Sequence, residues 1–280
     1  MKNAIEIKDL RKHYWLFDKD YKIIPWLFTK KGFTSIKRAI DGIDLTVGHG
    51  EVVGVIGKNG AGKSTLMKLV AGITFPTDGL INVYGKVGSL INLSAGFNLE
   101  YTGRENIYYK GMLMGLTQKG IDDIIDDVID YAEIGEYFDL PLRMYSAGMG
   151  ARLGFSLAVF SDPDILIVDE VLAVGDKAFK QKSYTKTREM FKSGKSVLFS
   201  SHEDAHIREF CNRVVYIDDG KILYDGDVET GLKMYNEDIV KHKKERDIEK
   251  AEAKKKSSEA KSKSSEAKKR SSKSKKKSEA

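Results

Sequence analysis

Along residues 5–10, Ile-Glu-Ile-Lys-Asp-Leu alternates apolar and polar side chains, the pattern of a strand with one face buried. Residues 40–47 give a second strand, closed by a turn at His49-Gly50. Residues 51–56, Glu-Val-Val-Gly-Val-Ile, are almost continuously apolar, as a short strand buried on both faces is. A helical apolar face follows over residues 65–70, then a turn at Phe75-Pro76-Thr77-Asp78-Gly79 and two strands at 80–84 and 86–91. From residue 102 to about 157 the period becomes helical. Ile121, Ile124, Ile125, Val128, Ile129 and Ala132 fall at the i, i+3, i+4, i+7 spacing of one amphipathic helix. Strands return at 165–168 and 196–199, and residues 212–223 form a hairpin turning on Asp219-Gly220. The pattern predicts an α/β fold: a mostly parallel sheet, an antiparallel β edge near residues 1–50, and a helical subdomain inserted at about 98–160.

Composition changes this picture at three points. The single cysteine, Cys211, excludes a disulfide framework and fits a reducing compartment. The N-terminus carries charges where a signal peptide needs an apolar core. No window supplies the ~20 uninterrupted apolar residues of a membrane span. The expectation is a cytoplasmic protein, held at a membrane only through a partner. The net charge of +6 is unevenly spread. Residues 241–280 hold 17 Lys and Arg against 7 Asp and Glu, a net of +10, whereas residues 1–240 hold 30 against 34, a net of −4. The Lys/Ser/Glu/Ala tail has almost nothing to bury, which predicts disorder over 241–280 beside a folded domain at 1–240. Anionic lipid or nucleic acid would suit such a tail, as would a purely solubilising role.

The chemistry centres on residues 57–65, Gly57-Lys58-Asn59-Gly60-Ala61-Gly62-Lys63-Ser64-Thr65. This fits G-x-x-x-x-G-K-[ST] with a strand before it and a helix after it. Loop N–H groups and the positive helix end form an anion cradle. Lys63 can reach terminal phosphates, and the Ser64 hydroxyl can ligate magnesium. The motif implies a nucleoside triphosphate with Mg2+ as ligand. At the end of the apolar run 165–168 stand Asp169, a second magnesium ligand, and Glu170, placed to polarise an attacking water. The carboxylates Asp122, Asp123, Asp126, Asp127 and Asp130 occupy the outer arc of the amphipathic helix and read as a solvated face rather than a metal site. Tyr14 could stack on a base or belong to the core. Residues 15–38 mix aromatics with lysines and arginines, fitting either an interface or a hairpin excursion packed on the sheet.

Between the two phosphate motifs lies Tyr145-Ser146-Ala147-Gly148-Met149-Gly150-Ala151-Arg152-Leu153. With Lys63, Asp169-Glu170 and His202 in this order, the chain resembles the ATP-binding subunits of ABC transporters from about residue 5 to 235. The resemblance implies that Ser146 and Gly148 contact the γ-phosphate held by a second subunit in an ATP-sandwich homodimer. It also implies that Tyr14 stacks on adenine, that Asp176 is the acid of the loop after the second motif, and that His202 senses the γ-phosphate. The glutamine usual in the loop linking sheet and helical lobe is missing, leaving Asn92 and Ser94 as candidates for its part. The segments at 93–98, 101–106 and 169–176 resemble those of cell-surface polysaccharide exporters, teichoic-acid and O-antigen transporters among them. That implies an integral-membrane permease pair as partner, a lipid-linked polysaccharide as cargo and a place on the cytoplasmic face of the membrane. The lack of a long folded C-terminal extension points to the teichoic-acid type. The alternatives are another cargo, such as a peptide or drug, or an ATP-gated clamp on nucleic acid gripped by the tail.

Overall fold

In the structure, a computed structural model, residues 3–17, 33–169 and 174–242 are described. The chain divides into two units, Met1–Leu232 and Lys233–Ala280. Of the second, residues 233–242 are helical, and the rest of the basic tail lies outside the described residues.

Among the described residues, nine strands form two sheets. The first has the order β2-β1-β4, from β1 (Asn3–Phe17), β2 (Phe33–Gly48) and β4 (Asp78–Val83), and is antiparallel throughout. The second has the order β5-β6-β7-β3-β8-β9. Its strands are β3 (Val52–Ile56), β5 (Val87–Ser89), β6 (Ile165–Asp169), β7 (Ser196–Ser200), β8 (Arg213–Asp218) and β9 (Lys221–Gly226). All its pairings are parallel except the β8–β9 hairpin. Asp219 and Gly220 both take positive φ (46° and 74°), which gives the hairpin the twist its strands require. The continuous apolar runs decide which strands are central: every residue of β3 and β7 is buried.

Helix α1 (Lys63–Val70) packs Leu66, Met67, Leu69 and Val70 into a core shared with both sheets. A second core belongs to the inserted helices α2 (Gly103–Leu113), α3 (Gln118–Asp122), α4 (Ile125–Ala132) and α5 (Ala147–Phe160). Helices α2, α3 and α5 start on side-chain caps. Thr102 and Glu105 form a reciprocal capping box on α2, Thr117 accepts from Gly120 N–H, and Ser146 accepts from Met149 N–H. Helices α6 (Lys177–Lys192) and α7 (Asp204–Phe210) complete the chain between β6 and β8.

Three expectations change in detail. The single amphipathic helix over residues 121–132 is two, interrupted at Asp123 and Ile124. Ile121, Ile125, Val128 and Ala132 are still buried and the five aspartates still exposed, because the break preserves the apolar face. The strand expected at 86–91 ends at Ser89. The ends of the aromatic-basic stretch pair as continuations of β1 and β2, with Trp15 opposite Ile36, while residues 18–32 lie outside the described residues.

Candidate functional site

The P-loop leaves β3 at its carboxyl end and re-enters the fold as α1. Gly62 demands its residue type: it sits at φ 116°, and a Cβ there would lie 2.5 Å from Ala39 O. The loop is anchored from both sides, by Gly220 N–H donating to Ala61 O (2.9 Å) and by Ala61 N–H donating to Lys58 O (3.1 Å). Gly62 offers no side chain to cap α1, and no acid stands in its first turn. A helix start with no side-chain cap and no acid in its first turn suits a bound anion. Lys63 is buried, with Nζ donating to Gly57 O (2.6 Å) and Lys58 O (3.1 Å). Those bonds hold the ammonium inside the loop it serves.

Beside this loop opens a cleft of about 230 Å³. Its lining brings together Lys58, Asn59, Gly60, Gly62, Lys63, Ser64, Thr65, Tyr14, Asp169 and His202, ten of the residues singled out in the sequence. Gly57 and Ala61 of the same loop are buried and do not line the cleft. Tyr14 is 39% exposed and faces the cleft, which resolves its two readings against a core role. Asp169 arrives at the end of β6, opposite Ser200 in the parallel register, and Ser200 Oγ donates to Asp169 Oδ1. His202 follows β7, two residues past that serine. Among the described residues lining the cleft, Lys37, Lys58 and Lys63 stand beside the carboxylate of Asp169, and Lys58 pairs with Asp218 at 3.2 Å. The balance of charge suits a polyanion.

Ser64 and Asp169 are hard oxygen donors facing one space, the set that Mg2+ uses when phosphates and water complete its shell. Among the described residues no group of three or more His, Cys, Asp and Glu could hold a metal alone. The donor set thus fits a magnesium that arrives with a phosphate chain.

Ser146, Gly148 and Asp176 do not line this cleft. Ser146 is the exposed N-cap of α5. Asp176 caps α6 by accepting from Phe179 N–H at 3.0 Å, and its other oxygen pairs with Arg152 of α5. The Phe179 N–H, with help from Arg152, holds the Asp176 carboxyl below the usual carboxylate value. Glu170 lies outside the described residues. Sequence reasoning missed Lys37, Ala39 and Ser200. Lys37 reaches the site through its register opposite Tyr14, which no local pattern discloses.

A family model described as ABC transporter matches residues 40–173. The O-antigen export system ATP-binding protein RfbB of Klebsiella pneumoniae is 40% identical over 247 residues, covering 85% of this chain and 99% of that protein. The teichoic acids export ATP-binding protein TagH of Staphylococcus haemolyticus is 37% identical over 244 residues, covering 87% and 92%. Among solved structures, the dimeric ATP-binding cassette MJ0796 bound to ADP and Pi superposes with a TM-score of 0.59 at 18% identity, over 80% of this chain and 98% of that one. The Klebsiella O-antigen relative and the staphylococcal teichoic-acid relative are each matched over nearly all of their length. No described helix is long and apolar enough to cross a membrane. The chain belongs to the ABC transporter family, as a nucleotide-binding ATPase subunit.

Proposed function

We propose that this chain drives export of a cell-surface polysaccharide of the lipid-linked teichoic-acid or O-antigen class, by hydrolysing ATP on a membrane permease. Residues 1–240 act as the ATP-binding domain, with the helical subdomain at about 98–160. Two copies face each other, and each cleft is completed by the partner copy's Ser146, Gly148 and Asp176 region. The observation that carries the reading is the split arrangement of the site. Lys63, Ser64, Asp169 and His202 share one cleft, while the Ser146 end of α5 stands exposed and apart from it. The relatives named for O-antigen and teichoic-acid export supply the cargo class.

Within the cleft, the loop N–H groups and Lys63 bind the phosphates, and Tyr14 supports the base. Ser64 and Asp169 hold Mg2+, which when bound neutralises the charge developing on the phosphates. Ser200 keeps Asp169 turned into the cleft by its hydrogen bond. Glu170 orients and deprotonates the attacking water, and His202 reads the terminal phosphate from the end of β7. Closing the two copies on ATP and reopening them after hydrolysis gives the permease its two states. The test pairs the purified chain with the permease in sealed vesicles loaded with lipid-linked polymer. ATP-dependent loss of polymer from the outer, cytoplasm-equivalent face supports the reading. ATP hydrolysis without polymer movement refutes the cargo, and no hydrolysis refutes the activity.

A further inference from the structure

Residues 90–97, Leu-Ile-Asn-Leu-Ser-Ala-Gly-Phe, join the parallel sheet to the helical lobe. Leu90 N–H donates to Ile167 O at 2.9 Å, so the linker leaves the sheet beside β6, two residues before Asp169. Asn92 then takes φ 48°, and Ala95 N–H closes on Asn92 O at 2.7 Å. This tight turn presents the carbonyl of Leu93 to the helical lobe.

Two helices of the lobe meet that one carbonyl. On α5, Gly154 approaches so closely that a Cβ there would lie 2.1 Å from Leu93 O. On α2, Lys110 Nζ donates to Leu93 O at 2.5 Å and lies 4.4 Å from the centroid of the Phe97 ring. A cavity of about 270 Å³ beside it is lined by Lys110, Ser89, Asn92 and mainly apolar side chains of β5, α2, α5 and the segment just after α1. Among the described residues no carboxylate pairs with this ammonium, and burial pulls Lys110 down to about 8. A cation placed in such surroundings, bound to one backbone oxygen, does more than fill space: a methionine would occupy the same volume without holding the carbonyl.

We propose that Lys110 is a positioning residue for ATP hydrolysis: through the Leu93 carbonyl it fixes the helical lobe, and the Ser146 end of α5 with it, to the strand ending in Asp169. The proposal rests on the ATPase reading given above. It also moves the linking role away from Asn92 and Ser94. Asn92 shapes the turn, and Ser94 Oγ lies only 3.3 Å from where a Cβ on Gly150 would sit.

The test compares the full-length chain with Lys110→Met and Lys110→Arg, in ATPase rates, nucleotide affinity and melting temperature between pH ~6.5 and ~9.5. Lys110→Met is expected to keep KM and nucleotide affinity within about twofold and to lose about tenfold in kcat. Raising the pH through about 8 removes the proton from Lys110 and weakens a charge-assisted bond, so wild-type kcat falls there. Arginine stays protonated, and Lys110→Arg should retain most of kcat and lose that alkaline fall. A Lys110→Met kcat within twofold of wild type overturns the proposal. So does an alkaline fall that survives in Lys110→Arg, or a loss of kcat that only follows lost stability and nucleotide affinity. A readout independent of turnover uses spin labels at Asp127→Cys on α4 and Lys221→Cys on β9, in a Cys211→Ala background. Their distance distribution should be broader in Lys110→Met than with the native lysine, and equal widths overturn the proposal. If the wild type hydrolyses no ATP, the ATPase reading fails while the label distances still decide the role of Lys110 in holding the lobe.

Discussion

Gly154→Ala sets two physical effects against each other at one position. Helix propensity favours alanine over glycine in a helix interior by ~1 kcal/mol, and Gly154 lies inside α5 with no positive φ to defend. Against this stands the contact with the linker. The new Cβ would lie 2.1 Å from Leu93 O, 2.7 Å from Leu93 C and 3.1 Å from Leu93 Cβ, whereas real Cβ contacts essentially never fall below 3.0 Å. The Leu93 peptide or α5 must therefore move by close to 1 Å in a packed interior, where overpacking costs ~1–3 kcal/mol. The same shift lengthens the Lys110 bond. A hydrogen bond to a charged group contributes ~1.5–3 kcal/mol, and roughly half of that is retained by rehydration because Lys110 is only partly buried. The sum favours destabilisation by ~1–3 kcal/mol after the propensity gain. For a domain of this size that lowers the melting temperature by roughly 2–10 °C. Differential scanning fluorimetry of wild type and variant, with and without ATP, measures it. A melting temperature equal to or above wild type would refute the reasoning, because propensity alone predicts a rise.

Three further outcomes test the proposed cycle and the tail. Glu170→Gln should bind ATP normally, lose ~10²–10⁴-fold in turnover and accumulate as an ATP-bound dimer on gel filtration; near wild-type turnover removes Glu170 from the role of base. Cysteines placed beside Ser146 and at Gly60 should crosslink between copies only when ATP is present, and ATP-independent or intrachain crosslinks contradict the shared site. Deleting residues 241–280 should leave ATPase rates unchanged and reduce flotation on anionic liposomes, the loss being larger at ~50 than at ~300 mM salt because each basic residue near such a surface contributes ~1 kcal/mol and is screened. Equal flotation of both chains removes the lipid role, and a tail-dependent mobility shift on DNA supports the nucleic-acid alternative.

The motif-bearing half of the site was legible in the sequence for a local reason. The P-loop needs a buried strand, glycines at fixed backbone conformations and a helix start within nine residues, and each leaves its own mark in the chain. Asp169 was legible too, because an acid closing a continuous apolar run must stand at a strand end, and parallel sheets put ligands there. The helix caps Thr102, Thr117, Ser146 and Asp176 are likewise local: each is a short-range hydrogen bond from a residue type that favours the N-cap. The interruption of the 121–132 helix was not visible, since the apolar period runs through it unbroken.

What the sequence could not determine are the meetings between segments far apart in the chain. Lys37 lines the cleft because β1 and β2 pair with Tyr14 opposite Lys37, a register carrying several shifts that depend on the whole sheet. Ser200 finds Asp169 only because β6 and β7 lie side by side, 31 residues apart in sequence. The carbonyl of Leu93 collects Lys110 from α2 and Gly154 from α5 by the packing of three segments, none of which encodes the others. Local propensity and motif spacing fix which residues can bind phosphate. Which side chains surround them, and how the helical lobe is tied to the sheet, follows from long-range burial and strand order, which the tertiary fold alone decides.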